Sequence, residues 1–228
     1  MQLNDQAPLS KEQAIIMLEL QSKMNAKVNP AWLDAGYPYL RAVVIEASEA
    51  MEHHGWKWWK AQSCDMAQLQ MELVDVWHFI LSHLLLNESG NIESTADLLC
   101  ETDTNEMAIE FDHQSYNIYE LDLISKLELL IGISAARKTS IPLFKALLND
   151  CDMSWNDLYS QYIGKNVLNF FRQDNGYKEG TYIKIWSGQE DNEHLVEILS
   201  ELDASHPEFK EQLYDNLHER YSNFALSA

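Results

Sequence analysis

Four acidic residues occur as two pairs, and both pairs lie in stretches with helical periodicity. Glu46 and Glu49 form the first pair, and Glu72 and Asp75 form the second. A spacing of three residues places both members of a pair on one helix face, about 60° apart. Glu72 also falls within the apolar side of its helix, beside core-type residues such as Val76. The pattern predicts carboxylates that face an interior seam rather than solvent.

Carboxylates in an apolar seam need a partner, because losing their hydration is costly or forces protonation. Two pairs on neighbouring helices could share a cation, and carboxylate oxygens suit Mg²⁺, with Mn²⁺ as a substitute. We therefore predict a divalent metal site formed by Glu46, Glu49, Glu72 and Asp75. The competing interpretation is a non-enzymatic helical scaffold whose acidic residues are simply solvated, as most charged side chains are.

A second metal interpretation is a di-iron carboxylate bundle, which uses Glu-x-x-His pairs on two helices. Glu110 and His113 have that spacing, and Asp75 with His78 nearly matches it. Only one true pair is present, and its segment is a weak candidate for a core helix. The di-iron protein is therefore the less favoured alternative.

Positive charge is scarce and locally concentrated. The chain has 16 Lys and Arg residues against 36 Asp and Glu, a formal net charge of −20, which argues against general nucleic-acid binding. The basic residues cluster at two places, Lys57 and Lys60 within GWKWWK at 55–60, and Lys165, Arg172, Lys178 and Lys184. Such clusters suit a small anion held by a metal and lysines together. The interleaved tryptophans either close the core or stack on a nucleobase.

The elements that position these side chains are predicted to be helices almost throughout. With 228 residues, 46% hydrophobic residues, 8 glycines and 5 prolines, the composition favours long helices over a turn-rich β fold. We predict one all-α domain, 1–228, built as a helical bundle. Helical patterns cover about 10–24, 38–54, 65–87, 95–112, 117–137, 142–150, 154–176, 190–202 and 207–224. Residues 177–186 are predicted to form an extended arm or short hairpin, and 88–115 a variable insertion.

The cellular location is predicted from the amino terminus, the apolar runs and the cysteines. The first residues show no secretory signal, and the longest strongly apolar run, Val76–Leu86, is too short to span a membrane. Cys64, Cys100 and Cys151 do not fit a disulfide framework, so we expect ordinary buried thiols. These features predict a cytoplasmic protein that binds neither membrane nor nucleic acid.

Five blocks of the sequence, taken in order, resemble one known family. They are Gln21-x-x-x-Asn25, Glu46-x-x-Glu49, GWKWWK, ELVDVWHF at 72–79 and YIGKNVLNFFRQDNGYKEGTYIK at 162–184. The acidic motifs alone are typical of the all-α nucleoside triphosphate pyrophosphohydrolases, the superfamily that includes the MazG-like enzymes. The lysine–tryptophan block and the last block narrow the resemblance to the dimeric dUTPases, over most of residues 15–185.

The resemblance implies hydrolysis of dUTP to dUMP and pyrophosphate, with Mg²⁺, by a homodimer. It implies that Glu46, Glu49, Glu72 and Asp75 are the metal ligands and that one of the first two activates the attacking water. By the same resemblance, the nucleoside pocket includes Gln21, Asn25, Trp59, His78 and Phe79. Phosphate binding or site closure is implied for Lys57, Lys60, Lys165, Asn169, Arg172, Tyr177 and Lys184.

Two neighbouring activities stay open from the sequence. A broader pyrimidine enzyme could also accept dCTP, and dUDP could be hydrolysed beside dUTP, because selectivity rests on a few polar contacts to the base. The segments 88–115 and 190–228 lie outside the resembling motifs, and their candidate roles are dimer contacts or regulation.

Overall fold

The computed structural model describes residues 8–102, 107–202, 206 and 208–227. These residues form helices α1 (Lys11–Val28), α2 (Tyr39–His54), α3 (Met66–Asn87), α4 (Ile92–Thr102), α5 (Leu123–Ala135), α6 (Ile141–Asp150), α7 (Trp155–Asp174), α8 (Asp191–Glu201) and α9 (Phe209–Ser227). Two short antiparallel hairpins pair β1 (Ala108–Phe111) with β2 (Gln114–Asn117) and β3 (Ile185–Trp186) with β4 (Gln189–Glu190). The all-α bundle predicted from the composition is confirmed.

Local capping signals account for the ends of the helices that carry the acidic pairs. Asp65 accepts a hydrogen bond from the backbone N–H of Gln68 and begins α3, as the sequence predicts. Gly55 ends α2 in the left-handed region, with φ of +85°. Local chemistry therefore accounts for the start of α3 and the end of α2, and the acidic pairs keep the expected helical spacing.

Helix α3 lies at the centre of the bundle, with apolar contacts to its neighbours around most of its circumference. Trp77 stacks on Phe144 of α6 with ring centroids 4.9 Å apart, and His78 stacks on Tyr162 of α7 at 4.2 Å. By length and composition α3 could cross a membrane, although the Val76–Leu86 run within it was predicted to be too short to do so. However, 72% of that window is buried inside the bundle, so its apolar residues serve the core.

The region after α4 differs from the prediction. Helix α4 ends at Thr102, and the β1–β2 hairpin occupies 108–117, so the helices predicted at 95–112 and from 117 are wrong there. The hairpin turn has Asp112 and His113 at φ of +49° and +61°, the positive values that a tight hairpin turn requires. Residues 103–106 lie outside the described part of the chain.

This hairpin also removes the basis for the di-iron interpretation. Glu110 lies in β1 and His113 in the turn, so the two side chains are not one turn apart on a helix. The spacing that suggested a helical metal-binding pair occurs here in extended chain, where alternate residues point to opposite faces.

The two segments outside the resembling motifs both contribute to the packed core. Within 88–115, α4 packs on α1 and buries Ala96 and Leu99. Within 190–228, α8 and α9 pack on α7, and Leu213 and Leu217 of α9 are fully buried. Residues 203–205, 207 and 228 lie outside the described residues.

Two smaller expectations are resolved by the structure. The 177–186 arm is extended only at its end, because turns occupy 176–180 and the β3–β4 hairpin begins at Ile185. Among the cysteines, Cys151 is buried, Cys100 is half-buried and Cys64 is exposed, so the expectation of buried thiols is wrong for Cys64.

Candidate active site

The loop between α2 and α3 holds the ends of these helices together. The backbone N–H of Asp65 donates to the carbonyl of His53 at 2.8 Å, which closes the loop across its base. The helices run side by side from this point, and each presents its acidic face to the other. The local cap of α3 and the end of α2 thus bring the two acidic pairs together.

Three of the four predicted metal ligands form a cluster between the helices. Carboxylate oxygens of Glu46, Glu72 and Asp75 all lie within 4.8 Å of one another. Glu72 is only 5% exposed, which confirms its predicted place in the seam. Glu49 is exposed and lies outside this cluster, although it lines the same cavity.

The electrostatics of the cluster favour a bound cation. Burial, reinforced by the negative charge of Asp75, raises the pKa of Glu72 to about 8. The same two causes raise the pKa of Glu46 to about 7. Oxygen-only carboxylate ligands that resist ionisation without a counter-charge fit a hard divalent ion such as Mg²⁺ or Mn²⁺.

A polar cavity of about 470 Å³ opens beside the cluster. Its cations are Lys165, Arg172 and Lys184, three of the residues predicted to bind phosphate. Lys165 is 1% exposed, and its Nζ lies 2.7 Å from Asp75 Oδ2 and 2.7 Å from Asn192 Oδ1. Acids and cations therefore line the same cavity, which a polyphosphate and a metal could occupy, and Lys165 is already paired with Asp75.

A larger and mainly apolar cavity, of about 650 Å³, adjoins the polar one. Glu46, Asp75, Arg172 and Tyr177 line both cavities. The predicted residues that line the larger cavity are Gln21, Asn25, His78, Phe79, Asn169, Arg172 and Tyr177. An apolar cleft that continues into a charged one matches a nucleoside joined to phosphates.

A buried hydrogen-bond network determines which nitrogen of His78 carries the proton. The Tyr162 hydroxyl lies 2.9 Å from both Gln21 Oε1 and the Met17 carbonyl, and Gln21 Oε1 lies 2.7 Å from His78 Nδ1. Ser82 Oγ donates its hydrogen to the His78 carbonyl at 2.9 Å, so it accepts from Gln21 Nε2 at 2.9 Å. Gln21 Nε2 also donates to Asn25 Oδ1 at 3.0 Å, and these two bonds orient the amide. Because an amide oxygen only accepts, His78 Nδ1 must be the donor and Nε2 the bare acceptor.

The other nitrogen of this ring, His78 Nε2, is buried and has no hydrogen-bond partner among the described residues. Burial lowers the pKa of His78 to about 4, so the ring is neutral at physiological pH. His78, which lines the apolar cavity, thus carries a buried and unsatisfied acceptor.

Three predicted substrate-binding residues line neither cavity in the described chain. Lys57 forms an ion pair with Glu52, whose other carboxylate oxygen accepts from Trp56 Nε1. Trp59 is 60% exposed, and Lys60 is also exposed. The single chain therefore does not bring the lysine–tryptophan block into contact with the other site residues.

Several residues that line the polar cavity, or that bind a residue lining it, were missed by the sequence reasoning. His53 lies with Nε2 3.4 Å from Glu72 Oε1, and Asn192 binds Lys165. Asp191 accepts two hydrogen bonds from Arg172. Asp191 and Asn192 begin α8, where polar residues are normally explained as helix-end chemistry, so the sequence carried no separate signal for them.

Acidic side chains and cations line one cavity, and an apolar cavity with aromatic residues lies next to it. Together with the all-α fold, these two cavities define the class of the protein as an enzyme that acts on nucleotides. A family model described as dUTPase matches residues 14–177, and the chain belongs to that family. It is a dUTP diphosphatase, a hydrolase of nucleotide metabolism. No curated protein shows significant similarity to the chain.

Proposed function

We propose that this chain hydrolyses dUTP to dUMP and pyrophosphate in a Mg²⁺-dependent reaction. The observation that carries the proposal is the Glu46, Glu72 and Asp75 cluster between a cation-lined cavity and an apolar one. These three carboxylates, with Glu49 at the rim of the same cavity, are the proposed metal ligands. Members of the family are typically metal-dependent, which supports the same assignment.

The chemistry needs no covalent nucleophile. A bound divalent cation supplies charge neutralisation of the phosphates and lowers the pKa of water. Glu46 or Glu49 orients the attacking water and accepts its proton. The water oxygen bonds to the β-phosphorus while the bond from this phosphorus to the α–β bridging oxygen breaks, so that oxygen leaves with dUMP. With ¹⁸O-labelled water, the label is therefore expected in pyrophosphate.

His78 and the amides around it are the proposed selectors of uracil. The bare Nε2 of His78 can accept a hydrogen bond from uracil N3–H, whereas cytosine carries an acceptor at N3. Gln21 and Asn25 line the same cavity and offer further amide groups to the base edge. Phe79 is proposed to pack on the deoxyribose and to exclude a 2′-hydroxyl. This arrangement favours dUTP over dCTP.

The triphosphate is proposed to lie in the polar cavity. Lys165, Arg172 and Lys184 neutralise its charge, and Asn169 and Tyr177 complete the wall between the cavities. Lys57, Trp59 and Lys60 remain proposed substrate-binding residues, and they require either a movement of their loop or a second copy of the chain. We propose a cytoplasmic homodimer that binds neither nucleic acid nor membrane.

A pyrophosphate-release assay tests this function directly. Purified protein is incubated with dUTP, dUDP, dCTP or dTTP, each with and without Mg²⁺. We expect turnover of dUTP that depends on Mg²⁺, with dCTP and dTTP much slower. Release of phosphate from dUDP is compatible with the proposal, since dUDP carries the same β-phosphorus. Equal rates with dUTP and dTTP would show that the pocket does not exclude the 5-methyl group of thymine and is wrongly assigned as specific for uracil.

A broader pyrimidine enzyme is the second candidate, and the same assay separates it. Equal turnover of dCTP and dUTP would favour that candidate. The bare acceptor at His78 argues against it, because the N3 of cytosine would face the Nε2 lone pair without a proton between them.

A further inference from the structure

The guanidinium of Arg172 is held by an acidic side chain that lies beyond the matched segment 14–177. Asp191, the first residue of α8, accepts from Arg172 Nε and Nη2 through its two oxygens, both at 2.8 Å. Asp191 is fully buried, and the side chain of Arg172 is 12% exposed. Bidentate pairs of this kind fix the plane of the guanidinium as well as its position.

The hydrogen bonds of Arg172 leave little freedom for the guanidinium to turn. A guanidinium has five N–H groups. Two of them bind Asp191, the second Nη2 hydrogen can bind Asn192 Oδ1 at 3.2 Å, and one Nη1 hydrogen can bind Asn169 Oδ1 at 3.1 Å. One Nη1 hydrogen remains for a ligand, in a residue that lines both cavities.

Asp191 is itself oriented by the carboxy-terminal part of the chain. The hydroxyl of Tyr182 donates to Asp191 Oδ2 at 2.8 Å. The Tyr182 ring stacks on Tyr221 of α9, with centroids 5.4 Å apart and planes 21° apart, and meets Trp186 edge-on. The aromatic cluster of Tyr182, Tyr221 and Trp186 therefore holds Asp191 in place, and Asp191 in turn orients Arg172.

The ionisation of the Asp191 carboxyl agrees with its hydrogen bonds from Arg172 and Tyr182. Burial alone would raise the pKa of the Asp191 carboxyl, but hydrogen bonds from Arg172 and Tyr182 hold its pKa below the ordinary value. Asp191 is thus a permanent anion and a permanent acceptor for the guanidinium.

We propose that Asp191 is a positioning residue that acts through Arg172, fixing the guanidinium for the triphosphate, and that Tyr182 holds Asp191 in place. This inference rests on the proposed function only in taking the polar cavity as the phosphate site. It assigns to α8 and α9 a role in building that site from outside the matched segment.

Asp191→Asn is the direct test, because it keeps the shape and removes the charge. We expect kcat/KM for dUTP to fall by about 10²-fold, a loss that a misplacement of about 1 Å can cause. The affinity for deoxyuridine, which has no phosphate, should not change. Asp150→Asn is the matched control, because it breaks another buried pair, Lys126 Nζ to Asp150 Oδ2 at 2.5 Å, and lines neither cavity. This control should lose stability but keep the wild-type kcat/KM.

A double-mutant cycle with Arg172→Ala separates positioning from a general structural role. If Asp191 acts through Arg172, Asp191→Asn should add almost nothing to the loss caused by Arg172→Ala. Fully additive losses would overturn the proposal. Tyr182→Phe should show a smaller loss in the same direction, and it decides the question if Asp191→Asn does not fold. A Tyr182→Phe variant with wild-type kcat/KM would then contradict the proposal.

The two proposals can fail separately. If the wild-type chain does not hydrolyse dUTP, the proposed function is wrong. The positioning of Arg172 is then tested by calorimetric binding of inorganic pyrophosphate to the wild type and to Asp191→Asn. Weaker binding by the variant supports the positioning role, and equal or absent binding in both overturns it.

Discussion

At the scale of single residues, burial gives ordinary side chains the properties that the site needs. His78 loses its basicity because its surroundings exclude water, and the Gln21 amide then decides which ring nitrogen keeps the proton. Glu72 resists ionisation for the same reason, until a cation compensates for its charge. Both effects come from residues that are distant in sequence but adjacent in the fold.

The protonation of His78 is our first prediction. Because burial lowers its pKa to about 4, the ring should stay neutral, with the proton on Nδ1, as the pH falls through 6.5. The ¹⁵N chemical shifts of the imidazole, followed from pH 8 to pH 4.5, report this directly. A His78 that titrates near pH 6.5, or that carries its proton on Nε2, would contradict the assigned uracil contact.

The second prediction concerns Glu72 as a metal ligand. Glu72→Gln keeps the shape of the side chain but removes a charge from the carboxylate cluster, so Mg²⁺ should bind more weakly and dUTP hydrolysis should be lost. The wild type should be stabilised by Mg²⁺ in thermal unfolding, because a ligand that binds only the folded state raises the melting temperature. The variant should lose this shift.

An exposed acid on another helix provides the control for this substitution. Glu128 lies on α5, is exposed and lines neither cavity. Glu128→Gln should keep both the Mg²⁺ shift and the turnover. An unchanged Mg²⁺ shift in Glu72→Gln would remove Glu72 from the ligand set.

At the scale of elements, the junction between α2 and α3 determines where the acidic pairs meet. Gly55 leaves α2 at φ of +85°, and a Cβ there would lie 2.9 Å from Gln62 Cβ. Gln62 Oε1 in turn accepts from the backbone N–H of Lys57 at 2.8 Å. The close approach of Gly55 and Gln62 thus supports the whole loop between the helices.

Our third prediction is that Gly55→Ala destabilises this junction more than a strained backbone alone explains. We expect the free energy of unfolding to fall by about 2 kcal/mol or more, the sum of a left-handed alanine and a steric contact. Gly36→Ala is the control, since Gly36 has φ of +64° but no atom within 4 Å of the added Cβ. Urea denaturation measures both. Equal losses for the two variants would show that the contact with Gln62 is unimportant.

At the scale of the whole molecule, one exposed surface is apolar, and it is formed by Trp56, Trp58 and Trp59. Trp58 is 85% exposed and Trp59 60%, and their rings contact each other and Trp56. Isolated exposed apolar residues are common, but three contacting tryptophans are an unusual surface for a monomer.

The fourth prediction is that the chain is a homodimer at micromolar concentration. Sedimentation equilibrium should give twice the chain mass of 26.4 kDa. A second copy could cover this apolar surface, which is the physical reason for the expectation. A monomeric mass at concentrations where dUTP is hydrolysed would mean that one chain forms the complete site and that the loop 55–60 must move to contribute to it.

Much of this protein could be predicted because the relevant signals are local. Helix periodicity and caps located α2, α3 and α7, and the three-residue spacing placed Glu72 and Asp75 on one face. The same reasoning failed at 108–117, where a helical spacing of Glu110 and His113 occurs in a hairpin. Short segments of mixed polarity fit both the helical period of 3.6 residues and the strand period of two. Here the left-handed turn at Asp112 and His113 shows that the segment is a hairpin.

The amino-acid order by itself determined the class of fold, the acidic pairs and the family, because each depends on residues close together in the chain. Only the tertiary structure decided the partners of these residues. Gln21 meets Tyr162 across 141 positions, and Arg172 meets Asp191 through the packing of α8 against α7. Such contacts follow from how whole helices pack, and no local spacing encodes them. The tautomer of His78 and the orientation of Arg172 could therefore be assigned only in three dimensions.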